Sequence, residues 1–303
     1  MSADKRVLSI QSSVVFGYVG NKSAAFPLQL HGYDVSTINS VQFSNHTGYG
    51  KWKGQVLNAS EAADLFEGLR MNNLLKFNHV LTGYIGSDSF LKKVGEEVRE
   101  MKAKNPNLVY LCDPVMGDNG KLYVSEALVP VYQNDIVELA DIIVPNQFEL
   151  GLLTKLPITT EAEAFTAMQK LHDRGVSTVV LSSSNLGINK EQLLCLASYK
   201  KDGVSKRYRI KIPYMNAIFV GTGDLFAASM LTWLDKDKNL KSALEKTVSV
   251  VQKVINRTYE HAKSMSSGLA GGEIPTMEQM ELRLVQSKCD IENPQVDFHA
   301  EEI

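Results

Sequence analysis

Along the chain, short apolar runs alternate with amphipathic stretches of helical period. Arg6 to Gln11 is an apolar run ending in Gln11-Ser12-Ser13; it is followed by the glycine-rich Gly17-Tyr18-Val19-Gly20 and a helical stretch, Asn21 to Leu30, stopped at His31-Gly32. Asp34 to Val41 reads as a strand and Ser44 to Lys51 as a polar loop. The Ser60 to Asn72 helix carries Ala62, Leu65, Phe66 and Leu69 at i, i+3, i+4, i+7 spacing and leads into a strand at Val80 to Tyr84. The alternation continues through a helix at Ser89 to Lys104, a strand at Leu108 to Cys112, a helix over 125–139 and a strand over 141–144. A capping box at Thr160 and Glu163 opens the next helix, which ends at Arg174-Gly175 before the fully apolar strand Thr178 to Ser182.

Repeated strand–helix alternation predicts an α/β, three-layer architecture: a mostly parallel central sheet with helices on both faces. The segment Leu193 to Pro213 departs from it as two antiparallel strands around Lys200-Lys201-Asp202-Gly203, a small antiparallel hairpin. Its Lys and Arg residues read as a solvated hairpin rather than a nucleic-acid face. A long helix spans Leu240 to Met265, a Ser/Gly-rich connector Ser266 to Gly272, and the tail from Met277 returns Met280, Leu282 and Val285 to the body.

In parallel sheets ligands gather beyond the carboxyl ends of the strands. The residues that follow the predicted strands are Ser12, Asn45 to Thr47, Tyr84, Asp113, Asn146, Ser182 with Ser183, and Gly221 to Asp224. Each alone has a plain reading as a turn or cap residue. Seven strand ends carrying such residues argue for one shared site.

The most informative stretch is Asn216 to Met230, where an apolar run breaks at Gly221-Thr222-Gly223-Asp224 and resumes as a small-residue helix. Two glycines permit a tight turn, and the first N–H groups of the following helix make that turn an anion site. A carboxylate beside a bound anion is repulsive unless it takes a proton from an attacking alcohol. The competing reading is a plain helix start, with Asp224 stabilising the dipole. The tetrad lacks the third glycine of a dinucleotide fingerprint, and the chain contains no G-x-x-x-x-G-K-[ST] loop.

Composition narrows the class without adding chemistry. The 303 residues are 44% hydrophobic and 22% charged, with a formal charge of -2, so no global field favours nucleic acid or an anionic membrane. With no membrane-length apolar run and no signal peptide, the expected setting is cytoplasmic. Cys112, Cys195 and Cys289 are far apart and form no C-x-x-C, and the six histidines show no metal-ligand spacing.

Taken together, SIQSSVVFGYVGN, NSVQFSNHTGYGKWKG, LTGYIGSDSF, DPVMGD, PNQFE and FVGTGDLFAA resemble the pyridoxal kinases, within the ribokinase-like group of small-molecule kinases. The resemblance covers Val7 to about Asn293 and is weakest at 185–212 and 264–275. It implies a single ribokinase-like domain over 1–303, phosphorylation of the 5′-hydroxymethyl group of pyridoxal by ATP, and a homodimer. Asp224 would be the base and the backbone of Gly221, Thr222 and Gly223 the anion hole. Asp113, Asp118 and Glu149 would arrange Mg2+ (or another divalent cation such as Zn2+) and the phosphates. Asn146, Ser182, Ser183, Met215, Asn216, Ala217 and Phe219 would lie along the nucleotide with Thr222 and Gly223. Ser12, Val19, Val41, Phe43, His46, Thr47 and Tyr84 would form the ring pocket. Val144 stands where the family often has threonine, which removes a hydroxyl near the expected K+ or Na+ site and leaves a backbone carbonyl to serve.

Two other functions compete. A hydroxymethylpyrimidine kinase shares the anion hole but takes a thiamine-precursor ring, and a non-catalytic B6 carrier would bind without turnover. Phe43, Thr47 and Tyr84 favour a B6 ring, and an intact Asp224 favours catalysis. The loop Ser44 to Lys51 and the turn around Asp118 to Lys121 are the expected lids.

Overall fold

The computed structural model describes residues 5–187, 191–266 and 275–303. The strands are β1 (Arg6–Val14), β2 (Asp34–Phe43), β3 (Gly54–Val56), β4 (His79–Thr82), β5 (Val109–Cys112), β6 (Gly117–Asp118), β7 (Lys121–Leu122), β8 (Ile142–Ile143), β9 (Thr178–Ser184), β10 (Gln192–Lys201), β11 (Val204–Pro213) and β12 (Glu301–Glu302). The α-helices are α1 (Asn21–Leu30), α2 (Ala59–Met71), α3 (Asp88–Lys104), α4 (Leu128–Val131), α5 (Gln147–Thr154), α6 (Glu161–His172), α7 (Thr222–Asp237), α8 (Leu240–Ser266) and α9 (Lys288–Glu292).

A 10-stranded sheet in the order β12-β11-β10-β9-β8-β5-β4-β1-β2-β3 forms the middle layer. Its centre, from β2 through β1, β4, β5 and β8 to β9, is parallel. Because side chains alternate across a strand, consecutive residues go to opposite cores. Leu8, Ile10, Val80, Tyr110, Cys112, Ile143 and Val179 join the core beneath α2 to α6. Val7, Leu81, Leu111, Ile142 and Val180 join the one beneath α1, α7 and α8. Each fully buried aliphatic or aromatic side chain contributes about 1.5–3 kcal/mol, which is why these strands read as unbroken apolar runs.

Three segments differ from the sequence-based expectation. The helix over 125–139 is a composite: α4 passes into a π turn at Tyr132–Ile136 and a 3-10 turn at Val137–Leu139. Such turns re-phase side chains, and here they accompany burial of Tyr132, Ile136, Val137 and Leu139. The hairpin at Leu193–Pro213 stands where the sequence places it but belongs to the main sheet, with β10 antiparallel to β9. Its turn is Asp202-Gly203, both at positive φ (51° and 79°), the pairing that suits a two-residue turn between twisted strands. The separate two-stranded unit is β6–β7, which starts at the end of the DPVMGD stretch and returns through Lys121–Leu122. Third, the polar loop after β2 contains a 3-10 turn, Thr47–Tyr49, and is followed by β3 on the sheet edge.

Several basic residues of the hairpin have partners. Arg209 bridges Glu161 and Glu301, Lys200 lies near Asp173, and Arg207 stacks over Phe165. In the tail Met280 and Leu282 are buried, whereas Val285 is exposed. The Ser/Gly-rich connector falls, at 267–272, outside the described residues. Among the described residues no helix is long and apolar enough to cross a membrane.

Candidate active site

The residues expected at strand ends lie in or just past the carboxyl ends of the parallel strands, with one exception: Gly221 to Asp224 follow no strand, because the chain over 214–221, between β11 and α7, is irregular. At the centre, α7 begins after Gly221, whose backbone sits at φ 89°. A side chain on Gly221 would lie 2.1 Å from the Tyr18 carbonyl, so only glycine lets the turn approach the loop after β1. The N–H groups of the first turn of α7 are left without intrahelical partners and form a positive rim. Asp224 stands on that turn. Its Oδ2 accepts a hydrogen bond from the Gly20 N–H at 2.8 Å, and burial raises its pKa to about 6 against the lowering effect of that bond.

Gly20 also links Asp224 to Ser12. A Cβ on Gly20 would fall 2.0 Å from the Ser12 carbonyl and 2.4 Å from its Oγ. Ser12, Gly20 and Asp224 are thus in one contact chain, although 204 positions separate Gly20 from Asp224. Val19 and Val41 are buried beside them. Val41, Val56 and Tyr84 converge on Gly86, all within 3.7 Å of where its Cβ would be, and the Ser40 hydroxyl donates to the Tyr84 carbonyl at 2.6 Å. Phe43 is half-buried with Trp52 near its ring, and Thr47 is exposed at the start of the 3-10 turn.

His46 is buried and both ring nitrogens are engaged: the Gly48 N–H donates to Nδ1 at 3.2 Å, and Nε2 lies 3.3 Å from Glu281 Oε1. It therefore lines this region with its ring rather than with a free nitrogen.

The acidic floor lies on the other side of Asp224. Asp113, just past β5, is buried, and its carboxylate stands 3.7 Å from the Gly223 Cβ position. Burial first, then the charges of Glu149 and Asp224, push its pKa well above the usual carboxylate range. No hydrogen-bond donor among the described residues offsets that shift.

Glu149 behaves differently. It closes a capping box at the start of α5, with Oε2 accepting the Asn146 N–H at 2.9 Å. Its Oε1 accepts the Met116 N–H at 2.9 Å. Burial nonetheless raises its pKa to about 7 against those bonds. The Asn146 amide donates to the Gly117 carbonyl, which ties the β6–β7 hairpin to α5. Asp118 is held by the Asn119 backbone and amide nitrogens.

The three acids expected to share a metal thus divide their work. Glu149 is turned inward as a cap, while Asp113 has no donor among the described residues. Among the described residues no group of three or more His, Cys, Asp or Glu side chains is arranged to hold a metal ion on its own. A cation bridging phosphates needs only one or two protein carboxylates, and the uncompensated Asp113 fits that need.

Among the residues expected along the nucleotide, the Ser182 N–H donates to the Pro145 carbonyl at 3.2 Å, which brings the end of β9 to the PNQFE turn, and Ser183 is exposed there. Met215, Ala217 and Phe219 are half-buried on the segment leading into α7, and Asn216 is exposed. Two participants were invisible as such in the sequence. Gly20 sits in a recognisable glycine-rich loop, but that its N–H meets Asp224 needs the fold. Glu281 carried no local signal.

The chain is similar to known proteins over nearly its whole length. A family model described as phosphomethylpyrimidine kinase matches residues 29–268. Pyridoxal kinase of Sus scrofa is 52% identical over 98% of this chain and 95% of its own length. The Homo sapiens pyridoxal kinase is 50% identical over 99% of both. Among solved structures, pyridoxal kinase from Leishmania donovani in complex with ADP and pyridoxamine superposes with a TM-score of 0.90 at 37% identity, covering 99% of this chain and 100% of that one. The strand-end site, the glycine-flanked turn with Asp224 and full-length identity at this level place the chain in the pyridoxal kinase family.

Proposed function

We propose that this chain phosphorylates the 5′-hydroxymethyl group of pyridoxal, and of pyridoxine and pyridoxamine, with ATP as donor. The observation that carries the reading is Asp224: a carboxylate on the positive rim of α7, within one contact chain of Ser12, with a pKa raised to about 6. A general base works best with a pKa near the working pH. At neutral pH this group is ionised and still holds a proton more readily than an ordinary aspartate.

The reaction is an in-line displacement. The substrate oxygen attacks the γ-phosphorus, its proton passes to Asp224, and the bond to the β-phosphate oxygen breaks to release ADP. The N–H groups at Gly221 to Asp224 face the charge on the transferring group, where such donors stabilise a transition state. Asp113 and Asp118 are suited to hold a divalent cation, Mg2+ or Zn2+, which would neutralise phosphate charge; Glu149 acts through the turn it caps. For a monovalent cation, K+ or Na+, a backbone carbonyl would have to serve at the strand end that carries Val144. Ser12, Val19, Val41, Phe43 and Tyr84 take the ring, with Thr47 and His46 on the covering loop, and Asn146, Ser182, Ser183 and residues 215–219 border the nucleotide.

Two wider features support the rest of the reading. The free edge of the sheet at β3 exposes Val56 beside exposed Val15, Phe16 and Trp52, apolar surface that suits a second copy of the chain in a homodimer. Three free thiols, two of them buried, suit a reducing cytoplasmic setting.

The test is ADP release with Mg-ATP and each B6 vitamer, with hydroxymethylpyrimidine as competitor substrate. Turnover of pyridoxal well above that of hydroxymethylpyrimidine is expected. Absence of activity on every vitamer would overturn the proposal, and preference for the pyrimidine would move the chain to the thiamine-precursor kinases.

A further inference from the structure

We propose that Glu281, on the segment between α8 and α9, is a positioning residue that ties the loop covering the ring pocket to the loop that orients Asp224. The proposal rests on reading residues 43–49 as part of the ring pocket. Three donors from two loops converge on this one carboxylate. The Tyr18 N–H donates to Oε2 at 3.0 Å, the Tyr49 hydroxyl donates to Oε1 at 3.0 Å, and His46 Nε2 lies 3.3 Å from Oε1. Since the Gly48 N–H already donates to His46 Nδ1, the ring proton of a neutral His46 belongs on Nε2, facing Glu281.

The site is built for an acceptor. Burial opposes ionisation of Glu281, but the bonds from His46, the Tyr18 N–H and Tyr49 outweigh it and hold the carboxyl below its ordinary range. His46 and Glu281 are nearly buried, at 7% and 10% side-chain exposure. Room for the carboxylate is provided by Gly17, at φ +92°, where a Cβ would lie 2.2 Å from Glu281 Oε1. A glutamine there would turn its amide N–H groups either on the Tyr18 N–H or on His46 and Tyr49, so an isosteric neutral residue cannot satisfy all three donors.

The segment also reaches the chemistry. Tyr18, whose N–H is bound by Glu281, places its carbonyl against Gly221, and two residues on Gly20 donates to Asp224. The neighbouring Leu282 is buried, with Cδ1 3.3 Å from the Gly221 Cβ position. Residues 281 and 282 thus touch the covering loop on one side and the anion-hole turn on the other. A contact of this kind fixes the distance between the ring and the base, which a productive in-line geometry requires.

Glu281→Gln tests it. Removing the charged partner of these hydrogen bonds should raise the KM for pyridoxal about tenfold, with the KM for ATP unchanged within about twofold. Tyr49→Phe should raise the pyridoxal KM less, and should add little in the Glu281→Gln background, because both act through the same contact. Independently of turnover, hydrogen exchange at the Gly48 and Tyr49 amides should speed up in Glu281→Gln. Unchanged pyridoxal KM together with unchanged exchange, or equal rises in both KM values, would overturn the proposal. If Glu281→Gln fails to fold, Tyr49→Phe alone decides by the same two readouts. Failure of the wild-type chain to use any vitamer would count against the kinase reading, and the exchange result would then judge the tether by itself.

Discussion

Asp224 and Asp235 stand near opposite ends of α7, and the two are treated in opposite ways. Asp224, at the N-terminus, has one hydrogen-bond partner among the described residues, the Gly20 N–H, and burial raises its pKa to about 6. Asp235, near the C-terminus, is also shielded, yet bonds from His79, Lys238, Lys5 and Tyr33 outweigh desolvation and hold it far below the usual carboxylate range. Its contacts include His79 Nε2 at 3.4 Å, Lys238 Nζ at 2.8 Å, the Tyr33 hydroxyl at 2.5 Å and the Lys5 ammonium. A carboxylate surrounded by donors stabilises the fold; one left with a single donor keeps the proton affinity that a base needs. The helix holds both residue types rigidly, and the difference lies in what packs against each end.

The sharpest way to break the comparison is to neutralise the active end. Asp224→Asn keeps the size and most of the capping capacity but cannot take the hydroxymethyl proton, so kcat should fall by roughly 10²–10⁴-fold. Nucleotide affinity should hold or improve, since a negative charge near the phosphates has gone. In the wild type, kcat/KM should rise with pH through about 6 as Asp224 loses its proton. The stability sign is fixed by the same shift. An aspartate raised from about 3.9 in the unfolded chain binds protons better when folded, so its contribution is most favourable at low pH and declines as pH rises to about 6. Asp224→Asn should therefore gain in melting temperature relative to wild type as pH goes from 4 to 7. A kcat within a few fold of wild type would leave Asp224 as a cap only.

Neutralising the other end should do the reverse. Asp235→Ala strips partners from buried His79 and Tyr33, and should cost about 2–3 kcal/mol of stability with kcat nearly unchanged. Because the folded pKa of Asp235 is depressed, its stabilisation is present above the unfolded value and lost as pH falls through the acid range. The wild type should lose stability on acidification more steeply than the variant. A melting temperature that barely moves would remove the contrast drawn here.

The smallest effect sharpens the map of the site. Tyr84→Ala removes an aromatic face worth about 1 kcal/mol beyond its area, and should raise the pyridoxal KM several-fold while leaving the ATP KM alone. Equal weakening of both would place Tyr84 away from the ring.

The sequence by itself determined the layered α/β architecture, because strands buried on both faces must be continuously apolar and their covering helices must be amphipathic. It also marked the strand ends, since polar Ser12, Asp113 and Asn146 after such runs have few other places to go. Gly221 was legible for the same local reason: a tight turn at positive φ leaves few alternatives. What it left undecided depended on partners remote in the chain. That Glu149 is an inward cap on the Met116 and Asn146 backbone, that the hairpin extends the main sheet, and that Gly20 holds Asp224 are set by packing. Glu281 is the extreme case. Its carboxylate meets Tyr18 263 positions away, and only the folded chain brings three donors around it. Local pattern records which surfaces a residue must bury, whereas the charge and proton affinity of a side chain are fixed by neighbours that the tertiary structure alone supplies.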